Sequence, residues 1–395
     1  MKEINSRVRY IGADDTELDL FESQYAVPEG MAYNSYMVIG EKIAVMDTID
    51  ARKGEEWKKN LEEALGGRTP DYLVIQHLEP DHSALIGWAA DRYPGMTLIA
   101  TAKAVSMLPQ FFDGMSFEGR TLAVKEGDSL DLGGCSLKFM LAPMVHWPEV
   151  MVSYLPEDGI LFSADAFGKF GALGKCGFWG DEDGDWACEG RRYYFNICGK
   201  YGGPVQTLLK KASALDIKMI CPLHGPVWRS NLEYFIGKHD IWSRYEPEDK
   251  GVVIIYGSIY GHTESAALRL GTLLGQRGVK NIKAYDASRT HVSELVSECF
   301  RASHIVLASS TYNNGIFTPM ENLLADLKAH DWKRRSVALI ENGTWAAASG
   351  KLMRAELEQM KDIAIVGEPV SLKSAAVAAQ EQQLAALADA LAATL

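Results

Sequence analysis

Within six positions of the stretch "VIQHLEPDHSA" stand two imidazoles and two carboxylates: His77, Glu79, Asp81 and His82. Nitrogen and oxygen donors packed this closely are what divalent metal ions require. "DYLVIQH" before them reads as a strand. Pro80 is expected to block a helix and hold the chain extended, so that residues 77, 79 and 81 point the same way and His82 opens a helix behind them. Further donors lie at the ends of predicted strands: His146 in "APMVHWPEV", Asp165 in "LFSADAFG" and His224 in "CPLHGPVW". Pro or Gly closely follows each, as in loops at a sheet edge. A lone histidine is more often structural than a ligand. Here four of the nine histidines alternate with three acids at strand ends, and that pattern points to ligands for two metal ions.

Two kinds of architecture carry these motifs. In the first part, "YNSYMVIGEKIAVMDTI" reads as two strands around a turn at Gly40, and "MTLIATA" as another strand. "SLDLGGCSLKFMLAP" and "VMVSYLPEDGILFSADA" read as hairpins, and "IKMICPLHGP" as a strand ending in a His-Gly loop. Hairpins with interspersed helices indicate a layered α/β sandwich over residues 1–248. "HDIWSRYEPEDKG" is charged and holds a proline, as a linker would. From 251 to 395 strand and helix alternate strictly. Strands are expected at 252–257, 282–285, 304–309 and 336–340, with helices from 263 and 291 and over 319–329 and 347–361. That is a doubly wound parallel sheet, which binds ligands at the carboxyl ends of its strands. "SAAVAAQEQQLAALADALAATL" closes it as an amphipathic helix.

The order His-x-Glu-x-Asp-His followed by His, Asp and His resembles the metallo-β-lactamase fold. Glu79 stands where the hydrolases of that fold have a second histidine. This departure, with a flavodoxin-like second half, resembles the flavodiiron proteins over essentially the whole chain. The resemblance implies an αββα sandwich followed by a flavodoxin-like domain. One iron would be held by His77, Glu79 and His146, the other by Asp81, His82 and His224, with Asp165 bridging both. A carboxylate in place of an imidazole makes the site harder and more anionic, which favours iron over zinc.

"IIYGSIYGHTESAA" runs from a strand through a polar glycine loop into a helix. Ser258, Ile259, Tyr260, Gly261, His262 and Thr263 can surround a phosphate with hydroxyls and backbone N–H groups. "SSTYNNGIFTPM" resembles the flavodiiron segment Ser-Pro-Thr-Tyr-Asn-Asn-Gly, with Ser310 in place of Pro; Thr311, Tyr312, Asn313, Asn314 and Gly315 are expected at the edge of an isoalloxazine ring. "ENGTWAAASG" adds Asn342, Gly343, Thr344 and Trp345. Three such loops at three strand ends indicate FMN rather than FAD or NAD, since no acidic ribose-binding signal is evident. Trp147, Tyr193 and Trp345 are the aromatic candidates for the catalytic pocket, with core packing as the alternative for each. "RRYYFNI" resembles a family segment that places a tyrosine, here Tyr193, near the irons.

The resemblance implies reduction of dioxygen to water, of nitric oxide to nitrous oxide, or both, in a head-to-tail homodimer or a dimer of dimers. The electron donor would be a rubredoxin or another small carrier. None of the six cysteines forms a CxxC pair, and the sequence ends soon after the closing helix, so no rubredoxin module is expected within it. Scattered cysteines without an apolar leader point to the cytoplasm. A net charge of −12 argues against nucleic-acid or membrane-surface binding, and no apolar run is long enough to span a membrane. Two other readings are a dizinc hydrolase with an accessory flavodoxin domain and an electron carrier with an inert metal domain.

Overall fold

All four residues of the strand Ile43–Met46 are buried, as are all five of Met151–Leu155. Strands buried on both faces must lie between two other layers. In the computed structural model, which describes every residue except Met1, Asp183 and Asp185, they belong to the first of two units. That unit comprises Met1–Tyr194 and Tyr201–Asp240; the second comprises Phe195–Lys200 and Ile241–Leu395.

The first unit holds a seven-stranded and a five-stranded sheet. Val38, Met46, Val74 and Ile99 of one share a core with Phe139, Met151, Phe162 and Cys221 of the other, so the sheets pack face to face. Helices cover the outer faces. Gly54–Leu65 buries Trp57, Leu61 and Leu65, and Ala102–Phe111 lies on the strands Thr97–Thr101 and Thr121–Val124. The result is an αββα sandwich. Ser136–Leu141 and Ile160–Phe162 both pair antiparallel with Met151–Leu155, while Ile160–Phe162 runs parallel to Met219–Cys221. These three strands thus share a direction, and the loops after them, which carry His146, Asp165 and His224, open at one end of the sheet. Tyr72–Val74, parallel to both its neighbours in the other sheet, leads to His77.

Pro80 does not hold the next segment extended. It is the first residue of a short helix, Pro80–Ser83, with Glu79 as its N-cap. Proline lacks an N–H that the first helical position would leave unpaired in any case, so it starts a helix as readily as it stops one. Asp81 and His82 therefore project from a helical turn, not from a strand.

The second unit is a parallel sheet in the spatial order Ile282–Asp286, Asp249–Gly257, Ala302–Tyr312, Arg335–Asn342 and Ile363–Ile365. The chain reverses its direction of winding between Asp249–Gly257 and Ala302–Tyr312, the point at which such sheets bind ligands. Val370–Leu372 extends the sheet by pairing with the end of Arg335–Asn342. The closing helix Ala378–Thr394 buries Leu384, Leu387, Ala388 and Leu391 on one face.

Residues 241–248, expected from the sequence to end the first domain, pack with the second unit. Trp242 is fully buried and its Nε1–H donates to Glu248 Oε1 at 2.6 Å, while Arg335 donates through Nη1 to the Tyr245 carbonyl at 2.7 Å. The charged residues that make this segment look like a linker are the rim of an aromatic anchor. Trp242→Ala is expected to cost roughly 3–5 kcal/mol in urea denaturation followed by circular dichroism. A loss below about 1 kcal/mol would mean that the segment is only loosely attached.

Candidate metal centre and flavin pocket

The strand Tyr72–Val74 ends against a buried carboxylate. Asp47 Oδ1 accepts from the backbone N–H of Gln76 at 2.7 Å and of His77 at 3.3 Å, and Oδ2 accepts from Gln76 Nε2 at 3.0 Å. Burial pushes the Asp47 carboxyl up to about 6 against those hydrogen bonds. His77 is thereby fixed at the mouth of the sheet. Its Nδ1 lies 2.8 Å from Glu149 Oε1, leaving Nε2 facing inward. His224 is oriented likewise, with Nδ1 2.8 Å from the Ala32 carbonyl oxygen. Asp165 follows Ala164, whose φ of +51° turns the chain sharply at the end of Ile160–Phe162. The Ala164 carbonyl accepts from Leu223 N at 2.9 Å, tying the Asp165 loop to the His224 loop.

All seven sequence-predicted ligands converge, and they do so in two groups: His77, Glu79, His146 and Asp165, and Asp81, His82 and His224. Asp165 faces both. Its Oδ2 lies 3.2 Å from His77 Nε2 and 3.3 Å from His146 Nε2; its Oδ1 lies 3.0 Å from His82 Nε2 and 3.6 Å from His224 Nε2. Glu79 Oε2 closes the first group, at 3.1 Å from His77 Nε2 and 3.0 Å from His146 Nε2. Asp81 Oδ2 closes the second, 3.1 Å from His224 Nε2.

This donor set fits a pair of metal ions. Asp81, His82 and Asp165 are buried, yet neither oxygen of the two carboxylates nor either ring nitrogen of His82 has an aligned hydrogen-bond partner among the described residues. Buried charges in that condition are costly unless an ion sits between them. Without metal, protons fill the role. Burial opposes the charged form of His82, but the Asp81 and Asp165 carboxylates lift it to about 9. Burial likewise opposes His146, and the Asp165 carboxylate beside it and its hydrogen bond to Glu79 together lift it to about 9. Glu79, despite its burial, is held well below the usual carboxylate range by His146 and His77.

Around this cluster the Trp147 ring stands edge-on to His77, with centroids 5.1 Å apart. Tyr193 is buried with its ring 5.7 Å from His224 and 5.2 Å from Phe170. Sequence reasoning missed Asp47 and Glu149. Neither lies in a ligand-like spacing, although Glu149 stands only three residues after His146.

In the second unit a cavity of about 550 Å³ opens at the ends of the strands. Ser258, Ile259, Tyr260, His262 and Thr263 line it, as do Thr311, Tyr312, Asn313 and Asn314, and Asn342, Gly343, Thr344 and Trp345. Gly261 and Gly315 shape the loops without lining the cavity. Gly261, at φ +90°, is the N-cap of the helix His262–Gln276, whose first N–H groups have no partner within the helix. Asn313 and Asn314 both take the left-handed conformation, at φ +49° and +60°, in a two-residue hairpin that pairs Tyr312 with Gly315. Thr263 Oγ1 lies 2.9 Å from Ser310 Oγ, so the serine standing in the family's proline position ties two of the loops together. Ser374, absent from the sequence reading, forms a further wall. It exchanges hydrogen bonds of 2.9 Å with Asn342 and its Oγ is 2.7 Å from Thr344 Oγ1. Hydroxyls and glycine loops at a helix N-terminus suit the phosphate of FMN. Trp345 is 90% exposed, so core packing does not account for it.

Comparison with known proteins follows the same division. Residues 31–225 match the ODP family of β-lactamases, and residues 254–364 match flavodoxin. The anaerobic nitric oxide reductase flavorubredoxin of Vibrio vulnificus is 28% identical over 366 residues, which covers 90% of this chain and 72% of that one. The rubredoxin oxygen:oxidoreductase of Desulfovibrio gigas superposes with a TM-score of 0.93 at 25% identity, covering 100% of this chain and 98% of the other. The flavodiiron protein of Giardia intestinalis gives 0.91 at 25% identity, covering 100% and 97%. Both modules, in this order and over this length, make the chain a member of the flavodiiron protein family.

Proposed function

We propose that this oxidoreductase reduces dioxygen to water, nitric oxide to nitrous oxide, or both, at two irons, using electrons from FMN. The observation that carries the reading is Asp165, whose two oxygens each face a separate His/carboxylate group in a chain that also has a flavin-sized pocket. One iron is assigned to His77, Glu79 and His146, the other to Asp81, His82 and His224, and Asp165 spans them. When bound, the flavin supplies electrons one or two at a time and the irons bind the gas and pass electrons to it.

The protein's part is positioning and protection. Glu149 and the Ala32 carbonyl fix the tautomers of His77 and His224, so that each presents Nε2 inward. Trp147 shields the His77 side. Tyr193, packed on His224, is proposed to donate a hydrogen bond to the reacting gas. FMN is assigned to the loops at Ser258–Thr263, Thr311–Gly315 and Asn342–Trp345. Tyr260 at 92% and Trp345 at 90% exposure leave that pocket with an uncovered aromatic rim. Such a rim supports a head-to-tail homodimer in which the flavin of one chain meets the metal centre of its partner. The proposed electron donor is a rubredoxin or a similar small carrier. No helix among the described residues is long and apolar enough to cross a membrane.

Metal content is the deciding measurement. Protein purified anaerobically without added metal is expected to carry iron at both positions by elemental mass spectrometry; zinc at both, persisting in iron-rich expression, would support the hydrolase reading instead. Glu79→His is expected to shift the bound metal toward zinc, since it removes the hard anionic donor. An unchanged iron-to-zinc ratio would show that Glu79 does not select the metal. Tyr193→Phe is expected to lower gas turnover about tenfold with metal content intact, the worth of one hydrogen bond. Unchanged turnover would remove Tyr193 from the reaction.

A further inference from the structure

The two metal positions differ in what stands behind their histidines. Among the described residues, His77 is the one imidazole of the cluster whose Nδ1 meets a carboxylate, Glu149 Oε1 at 2.8 Å. The Nδ1 of His224 meets a neutral carbonyl instead, and that of His82 has no hydrogen-bond partner. Glu149 is itself buried and held from several sides. Its Oε1 also accepts from Leu78 N at 3.0 Å, and its backbone carbonyl accepts from Thr101 Oγ1 at 2.9 Å. Thr101 in turn caps the helix Ala102–Phe111 by accepting from Ala104 N. Glu149 Oε2 is buried with no hydrogen-bond partner. If Glu149 served only to close its loop, a neutral amide would do the same work without leaving half a carboxylate buried and unsatisfied. Retaining the charge makes physical sense if it acts on what lies beyond the ring.

We propose that Glu149 is a positioning residue that delivers negative charge through His77 to one metal position and not to the other. This rests on the assignment of iron to the cluster. A carboxylate that accepts from Nδ1–H fixes the tautomer and makes the opposite nitrogen a stronger donor. The position at His77, Glu79 and His146 already has Glu79 and a share of Asp165, and Glu149 adds a further anionic influence. Ferric iron is favoured there over ferrous, so this position is the harder of the two to reduce. The position at Asp81, His82 and His224 has no such support and accepts an electron first. Glu149 thus sets an order of reduction within the pair.

The test compares iron-loaded full-length protein with Glu149→Gln by redox titration followed by optical and electron paramagnetic resonance spectroscopy. Glutamine keeps the shape and an acceptor for His77 and Leu78 but removes the charge. The expected result is intact iron content, a raised potential of the iron centre and an unmoved flavin potential. Glu149→Ala is expected to weaken metal affinity 10- to 100-fold, as read by chelator competition. An iron potential in Glu149→Gln equal to that of the parent would overturn the proposal. If Glu149→Gln does not fold, Glu149→Asp takes its place, withdrawing the charge from the ring; it should raise the potential by a smaller amount, and no change would again overturn the proposal. A parent protein without iron would instead refute the assignment on which the proposal stands.

Discussion

Asp165 is a fully buried carboxylate with two imidazoles facing each of its oxygens. Removing such an anion from water costs several kcal/mol, and the cost is recovered only by good geometry on all sides. Much of the first unit's local architecture can be understood from this need. Three strands of the five-stranded sheet run in one direction, so their trailing loops meet at one end. Asp47 and Glu149 hold the loop that arrives from the other sheet. Without that convergence the cluster would be an uncompensated group of buried charges, and the apolar core beneath it would have to absorb the cost.

The second unit answers a different constraint. A flavin is a planar, mostly neutral ring with an anionic phosphate tail, so its pocket needs walls more than counter-charges. Short loops at the strand ends supply them. The Asn313–Asn314 hairpin turn, with both residues left-handed, lets the loop double back within two residues. Hydroxyl contacts from Thr263 to Ser310 and from Thr344 to Ser374 join loops that lie far apart in sequence. The pocket is shaped by neutral hydrogen bonds, in contrast to the ionic cluster of the first unit.

Much of this can be read from the residues alone, for physical reasons. His77, Glu79, Asp81 and His82 are legible because six positions hold all four, and His146, Asp165 and His224 because turn-forming residues follow them. Three strands of the second unit, Asp249–Gly257, Ala302–Tyr312 and Arg335–Asn342, are legible because each is a largely buried apolar run followed by a helical pattern. Ile363–Ile365 and Val370–Leu372 escape because each is only three residues long with an exposed middle residue. Ser374 escapes with them, since it matters only through the strand that precedes it. The helical turn at Pro80 is ambiguous in sequence, because proline is compatible both with extended chain and with the first position of a helix. Glu149 is hidden for another reason: its partner is the far side of a ring, a relation that has no fixed spacing along the chain.

Ser374 has one further consequence. Every donor of the metal cluster lies at or before residue 224, whereas the flavin cavity is not fully walled until Ser374 is in place. Synthesis runs from the N-terminus, and domains generally fold as units as they emerge. The donors of the metal cluster are therefore all in hand while the ribosome is still making the second unit, and the walls of the flavin pocket only once residue 374 has emerged. The residues of the two cofactor sites thus become available in sequence, an order written into the direction of the chain.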